Sequence, residues 1–202
     1  MRTTLYLHGF LSSPRSRKGM LLKAEHEARG MRFLAPDLTL SPKEASDVIL
    51  EAAKSVPPGL LTVVGSSLGG FYAGWVAERI GCRAVLINPA VRPWAFVRDF
   101  LGEQTVYGTG RKVLITEDYE RQLRELDTPS ITIPSRYFVL LSTGDEVLDW
   151  HEADRKYRQS PRVLVEGGDH QVSCFERYVR LVADYCADPA LQIQTSDLPA
   201  AT

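Results

Sequence analysis

The tightest constraint in this sequence is the pentapeptide Gly65-Ser66-Ser67-Leu68-Gly69, which stands between an apolar run and a helix-like stretch. Its Gly-x-Ser-x-Gly pattern is typical of a nucleophile elbow, a sharp strand-to-helix turn that holds a serine at strained backbone angles. The positions two before and two after that serine must be almost free of side chain. Only Ser67 satisfies this requirement, because Ser66 has bulky residues at the same spacing. We therefore predict a nucleophile at Ser67.

Length and composition exclude several classes of protein. The 202 residues, 44% of them hydrophobic, suffice for one domain with a sizeable core. A formal net charge of -1 gives no electrostatic footprint for nucleic acid. Three scattered cysteines without a Cys-x-x-Cys pair favour neither a disulfide framework nor a zinc site, so we expect no metal. With no signal-peptide core and no apolar run of about 18 residues, we expect a cytoplasmic protein without a membrane span. The oligomeric state is left open.

Short apolar runs alternate with stretches that carry apolar residues at three- and four-residue spacing. This alternation is typical of β and α units around a mostly parallel sheet. The six predicted strands lie near residues 3–7, 32–35, 60–64, 83–87, 136–142 and 162–166. Helices are predicted at 16–29, 43–55, 68–80, 149–158 and 171–186.

One long segment, residues 88–134, interrupts this alternation. We predict that it forms a small lid, because its two helix-like pieces, 94–101 and 117–126, flank a loop that is broken by Gly108 and Gly110. Ordinary surface helices are the alternative. We predict one domain, which includes this lid, over residues 1–187, followed by a disordered tail over 188–202.

A serine nucleophile needs a neutral imidazole to take its proton and a carboxylate to orient that imidazole. Four histidines compete for the first role. His170 is favoured because it follows the last predicted strand through a glycine-containing loop, and ligands meet a parallel sheet at the carboxyl ends of its strands. His8 precedes the elbow, while His26 and His151 lie in predicted helices.

The acid is expected between the serine and the histidine in the chain. Asp145 follows the fifth predicted strand and is the first choice, with Glu146 and Asp149 as near rivals. Asp169 adjoins the histidine, but it would have to fold back onto the ring, and a helix cap near residue 171 is the expected role.

Two backbone amides are expected to hold the oxyanion. One belongs to Leu68, which follows the nucleophile, and the other to Phe10 in the loop after the first strand, where Gly9 gives the backbone room to approach. Within the lid, Arg92 is a candidate contact for an anionic substrate group and Trp94 for an apolar acyl chain. A solvated lid surface is the alternative for the arginine.

Beyond these residues, longer motifs resemble the YqiA-type esterase family of small α/β-hydrolases. The resemblance covers the chain to about residue 186 and rests on Leu5-Tyr6-Leu7-His8-Gly9-Phe10, Ser12-Ser13-Pro14-Arg15-Ser16, Val64-Gly65-Ser66-Ser67-Leu68-Gly69-Gly70-Phe71-Tyr72, Asn88-Pro89-Ala90-Val91-Arg92-Pro93 and Thr143-Gly144-Asp145-Glu146-Val147-Leu148-Asp149. It implies an α/β-hydrolase-type three-layer fold and an esterase with Ser67, Asp145 and His170 as its triad. The segment Asp169-His170-Gln171 departs from the Asn, His and small residue expected in the family.

These patterns predict a serine esterase that hydrolyses carboxylic esters or acyl thioesters of the acyl-CoA type through an acyl-enzyme. The chemistry requires no cofactor, and the partner is a small-molecule acyl substrate. Two alternatives stay open. One is a ligand-binding protein that keeps the fold with slow or no turnover, and the other is an acyltransferase.

Overall fold

The computed structural model describes residues 1–191 and residue 193. The predicted tail, 188–202, lies for the most part outside them. The strands are β1 (Thr3–Leu7), β2 (Arg32–Leu34), β3 (Leu61–Ser66), β4 (Arg83–Ile87), β5 (Gly102–Thr105), β6 (Lys112–Ile115), β7 (Tyr137–Ser142) and β8 (Arg162–Val165). The α-helices are α1 (Arg17–Ala28), α2 (Pro42–Lys54), α3 (Leu68–Ile80), α4 (Asp118–Glu125), α5 (Trp150–Lys156) and α6 (Val179–Ala187).

Six of the strands form one sheet in the order β2-β1-β3-β4-β7-β8, and every neighbouring pair is parallel. Successive side chains of a strand point to opposite faces of the sheet, so each central strand contributes residues to two hydrophobic cores, one on each face. Leu5 and Leu7 join the core beneath α2, α3 and α5, whereas Tyr6 joins the core beneath α1 and α6. The result is the parallel α/β arrangement that the alternating pattern predicted, in the three layers that the family resemblance implied.

Parallel pairing aligns the carboxyl ends of the strands along one edge of the sheet. The loops after β1, β3, β4, β7 and β8 therefore open on the same edge. These loops carry, in chain order, residues 8–10, 67, 88, 145 and 170. The topology alone brings every predicted site segment to this edge.

The insertion between β4 and β7, residues 88–134, contains more regular structure than the sequence indicated. Its first helix-like piece is a 3₁₀ helix, Pro93–Phe100, and its second is α4. The predicted glycine-broken loop is in fact the antiparallel hairpin of β5 and β6. Gly108 and Gly110 adopt positive φ angles of 70° and 69° at its turn, a backbone conformation that glycine permits.

The hairpin is attached to the loops at the sheet edge. The amide of Tyr107 donates to the carbonyl of Leu11 over 2.8 Å. The Arg111 guanidinium pairs with the Asp37 carboxylate in the loop after β2. Burial raises the pKa of Asp37, but hydrogen bonds from the hydroxyl and amide of Thr39 and the pairing with Arg111 outweigh it and lower the pKa to about 2. This ion pair is therefore charged at neutral pH.

The helix predicted over 171–186 is wrong before residue 179. A turn and a short 3₁₀ helix, Phe175–Arg177, precede α6. Val172 has a φ of 49°, which breaks a right-handed helix, and the Asp169 carboxylate accepts from the amide and hydroxyl of Ser173. Asp169 thus caps a turn rather than the final helix. Within the described residues, no helix is long and apolar enough to cross a membrane.

Candidate active site

Ser67 occupies the sharp turn between β3 and α3, at φ 57° and ψ -121°. A Cβ added to Gly65 would lie 2.0 Å from the carbonyl oxygen of Gly69. A Cβ added to Gly69 would lie 2.0 Å from the carbonyl oxygen of Leu7. No real contact is that short, so only glycine fits at either position. The spacing of small residues that predicted the elbow is therefore a steric requirement of the turn.

The imidazole of His170 lies between the hydroxyl of Ser67 and the carboxylate of Asp145. Nε2 is 3.0 Å from Ser67 Oγ, and Nδ1 is 2.8 Å from Asp145 Oδ2. Because an ionised carboxylate can only accept, the proton of the neutral ring is on Nδ1, and Nε2 is free to accept from the serine hydroxyl. The side chains of His170 and Asp145 are 8% and 1% exposed, so water competes little for these contacts.

The three rival carboxylates have other partners. Glu146 accepts the backbone amide of His170 over 2.9 Å. Asp149 caps α5 through the amide of His151. Asp169 holds the turn described above. Of the four candidate carboxylates, Asp145 is the one that contacts Nδ1 of His170.

The other histidines also have structural partners. His8 Nδ1 donates to the Gly9 carbonyl while Nε2 accepts the amide of Leu38, and burial lowers the pKa of His8. His26 is fully buried, with Nδ1 against the Leu22 carbonyl, and burial lowers its pKa as well. His151 is exposed beside Asp149. None of the three hydrogen-bonds to Ser67.

The residues of the two predicted oxyanion amides, Phe10 and Leu68, line the same cavity as Ser67. The loop after β1 passes so close that an ideal Cβ on Gly9 would be 3.3 Å from Ser67 Cβ. No hydrogen bond in the described part of the chain uses the amide of Phe10 or that of Leu68. The Leu68 amide is also at the N-terminus of α3, where the helix dipole favours negative charge. Neither amide therefore has a hydrogen-bond partner among the described residues.

A buried lysine supports the histidine segment from α1. Lys18 is 7% exposed, and its Nζ donates to the Gln171 carbonyl over 2.7 Å. Burial lowers the pKa of Lys18 from 10.5 to about 8. No sequence pattern predicts this contact, because 153 residues separate its partners.

An apolar cavity of about 260 Å³ adjoins the serine and the two predicted oxyanion residues. Its walls come from the loops after β1, β2 and β7, from α2 and α3, and from the insertion. The insertion contributes Ala90, Pro93, Phe96, Val97, Asp99, Phe100, Val113, Ile115, Tyr119 and Leu123. Sequence reasoning identified few of these residues, because the alternation of apolar residues predicts burial but not exposure to a cavity.

Two predicted substrate contacts lie outside this cavity. The Arg92 guanidinium pairs with Glu152, and the residue lines two other cavities, one of which shares Phe96 and Leu148 with the apolar cavity. Trp94 packs edge-on against Phe71 beneath the guanidinium of Arg124. Neither side chain lines the apolar cavity, since that of Arg92 pairs with Glu152 and that of Trp94 packs on Phe71. Contact of either residue with a substrate stays a prediction.

Backbone strain is concentrated at this site. Four non-glycine residues in the described part of the chain have positive φ: Leu11, Ser67, Asn88 and Val172. Two are the proposed nucleophile and the neighbour of Phe10, while Val172 follows His170 by two positions. Each such conformation costs on the order of 1–3 kcal/mol and persists where surrounding contacts enforce it, commonly at functional sites.

The arrangement contains the groups needed for nucleophilic attack on a carbonyl: a hydroxyl, a base, an orienting carboxylate and two free amides. Among the described residues, no group of three His, Cys, Asp or Glu side chains is arranged to hold a metal ion.

Comparisons with known proteins agree with the fold. The profile of the uncharacterised protein family UPF0227 matches residues 3–187, which confirms the family resemblance predicted from the motifs. A UPF0227 protein of Serratia proteamaculans is 28% identical over 149 residues, covering 72% of this chain and 76% of its own. The mouse α/β hydrolase domain-containing protein 10 has a TM-score of 0.68 at 15% identity, over 91% of this chain and 90% of its own. A structure from work on LipS and LipT, two metagenome-derived lipolytic enzymes, has a TM-score of 0.66 at 17% identity. The match covers 92% of this chain and 93% of that one. The fold is that of the α/β-hydrolases.

Proposed function

The chain belongs to the family UPF0227, and we propose that it is a serine hydrolase that cleaves carboxylic esters or acyl thioesters through an acyl-enzyme. The observation that carries this proposal is the continuous contact from Ser67 Oγ through the imidazole of His170 to Asp145, at 3.0 Å and 2.8 Å. The lipolytic activity named for LipS and LipT, which have the same fold, is consistent with it.

In the proposed reaction, Ser67 Oγ attacks the acyl carbonyl as its proton passes to Nε2 of His170. The carboxylate of Asp145 stabilises the imidazolium that forms. The amides of Phe10 and Leu68 donate to the oxyanion of the tetrahedral intermediate, each typically worth about 10²- to 10³-fold in rate. The imidazolium then protonates the leaving alcohol or thiol, and a water molecule hydrolyses the acyl-enzyme by the same steps.

The cavity favours an apolar acyl group. Its lining is almost entirely aliphatic and aromatic, and it begins at the serine and the oxyanion amides. In this proposal the insertion, residues 88–134, is the lid over the acyl group, and residues 1–187 form one hydrolase domain. Preference for ester or thioester and a cytoplasmic location stay predictions from the sequence.

The test compares Ser67→Ala with the matched variant Ser66→Ala on a short aryl ester and with a fluorophosphonate probe. Ser66 is the adjacent hydroxyl and contacts neither His170 nor Asp145. We expect Ser67→Ala to lose turnover and labelling while its circular dichroism is unchanged, and Ser66→Ala to keep both. Undiminished hydrolysis by Ser67→Ala would refute the assignment. Absence of labelling in the wild-type protein would favour the ligand-binding alternative.

A further inference from the structure

Asn88 is the only asparagine of the chain and follows the last residue of β4. It is 3% exposed and has a φ of 41°. Asparagine tolerates this left-handed conformation better than most residues. The backbone therefore explains why asparagine or glycine suits this position, but it does not explain the contacts of the side chain.

The carboxamide of Asn88 connects two of the segments that carry the site. Its Oδ1 accepts the backbone amide of Ser142, at the end of β7, over 2.7 Å. Its Nδ2 lies 3.0 Å from the His170 carbonyl oxygen, 3.2 Å from that of Asp169 and 3.1 Å from Ser142 Oγ. A backbone amide must donate and two carbonyls must accept, so the orientation of the carboxamide is fixed.

The backbone around Asn88 holds the nucleophile as well. The amide of Ser67 donates to the Ile87 carbonyl over 3.0 Å, and the amide of Ala90 donates to the Ser67 carbonyl over 3.1 Å. Residues 87–90 thus hold the elbow through their backbone and the histidine segment through one side chain. Serine and imidazole are positioned relative to each other by this single four-residue segment.

We propose that Asn88 is a positioning residue that sets the distance between the imidazole of His170 and the hydroxyl of Ser67. This inference rests on the proposed function. Without Nδ2, the carbonyls of Asp169 and His170 lose their shared donor, although Glu146 still binds the His170 amide and Lys18 still binds the Gln171 carbonyl. The segment then stays folded, but the ring is no longer held in line with the nucleophile.

Two substitutions separate this role from that of a turn residue. Asn88→Gly permits the positive φ and removes the carboxamide, whereas Asn88→Asp keeps the shape and places an oxygen against two carbonyl oxygens. Ser142→Ala is the matched control, because it removes only the contact between Nδ2 and Oγ and leaves both carbonyl contacts. All three are compared with wild type for kcat and KM on the same aryl ester, and for thermal midpoint.

We expect kcat to fall about 10- to 100-fold in Asn88→Gly, since a displacement of about 1 Å costs roughly that much, and to fall further in Asn88→Asp. KM should change less than about twofold, because substrate binding does not involve the carboxamide. Ser142→Ala should keep kcat within about threefold. A residue that matters only for the turn would give Asn88→Gly full kcat, and that result would overturn the proposal.

An NMR measurement on the wild-type protein is independent of whether the variants fold. Selective ¹⁵N labelling of asparagine gives a single side-chain NH₂ group, because the chain has one asparagine. We expect these two protons of the wild-type protein to be protected from exchange. In a separate comparison, we expect the resonance of the Nδ1 proton of His170 to shift in Asn88→Gly. Rapid exchange of the NH₂ protons would contradict the proposal. If Ser67→Ala retains turnover, the proposed function fails; if only Asn88→Gly retains it, the positioning role alone fails.

Discussion

Gly9 offers a way to displace the proposed oxyanion loop by a steric contact with the elbow, while every proposed reacting group stays in the chain. An ideal Cβ on Gly9 would lie 3.3 Å from the Ser66 carbonyl oxygen, 3.3 Å from Ser67 Cβ and 3.8 Å from Ser67 Oγ. The first two distances are tighter than nine in ten real Cβ contacts. Neither neighbour is the end of a flexible side chain, so in Gly9→Ala the loop or the elbow must move by a few tenths of an ångström.

The expected loss in rate follows from that displacement. Complete removal of one oxyanion donor costs about 10²- to 10³-fold in kcat, which sets the upper limit. A partial shift of the Phe10 amide should cost about 10- to 100-fold. Overpacking lowers the free energy of unfolding by roughly 1–3 kcal/mol, and the reduced entropy of the unfolded chain offsets about 0.4–1 kcal/mol of that. The protein should therefore remain folded.

The assay measures kcat and KM for a short aryl ester, with urea unfolding on the same samples. Gly59→Ala is the matched control, because Gly59 is exposed and its added Cβ would meet no atom within 4 Å. We expect the control to keep its kcat and Gly9→Ala to lose kcat at nearly constant KM. A Gly9→Ala protein with wild-type kcat would refute the assignment of this loop to the oxyanion hole.

Two further predictions concern pH and the cavity. Burial lowers the pKa of His8 and His26 below the ordinary value of 6.5. The unfolded state therefore binds more protons than the folded state as the pH falls through about 6.5. The free energy of unfolding should decrease on going from about pH 7.5 to pH 5.5, by at most about 1.4 kcal/mol per histidine. Urea unfolding at both pH values measures this decrease, and His26→Gln should make it smaller. Equal stability of the wild-type protein at the two pH values would contradict the prediction. Val113→Phe narrows the cavity, so kcat/KM should fall about fourfold for each acyl methylene it excludes, with acetyl esters unaffected. An unchanged chain-length profile would show that the acyl group lies elsewhere.

The sequence predicted those parts of the molecule that depend on local sterics and on strand ends. A Cβ at position 65 or 69 would meet a backbone oxygen at 2.0 Å, so both positions require glycine, and five residues were enough to predict the elbow. The positions of Asp145 and His170 followed from parallel strands, because their carboxyl ends share one edge. Their side chains lie 2.8 Å apart, and their catalytic roles stay a proposal.

Features that depend on side-chain direction were not predictable. Arg92 and Trp94 lie in the predicted lid, but their side chains point to Glu152 and Phe71. The strand β5 was missed because the sequence Gly-Glu-Gln-Thr has little preference for extended structure. Its pairing with β6 and the contact of the hairpin with Leu11 are tertiary effects.

The interruption before α6 was missed for a similar reason. A strained φ at Val172 cannot be read from a β-branched residue, which normally avoids it. The hydrogen bonds of Asp169 to Ser173 enforce the turn there. Asn88 was visible only as part of a motif, because its partners come from two distant segments.

The two halves of this site have separate origins in the chain. The reacting groups come from loops at the ends of sheet strands, whereas much of the cavity wall comes from residues 93–123 of the insertion. Substitutions within that stretch change the shape offered to an acyl group and leave the serine, imidazole and carboxylate in place. On the proposed function, laboratory libraries confined to its cavity-lining positions, such as Val113 and Leu123, should therefore change acyl preference while the hairpin keeps its contact with Leu11.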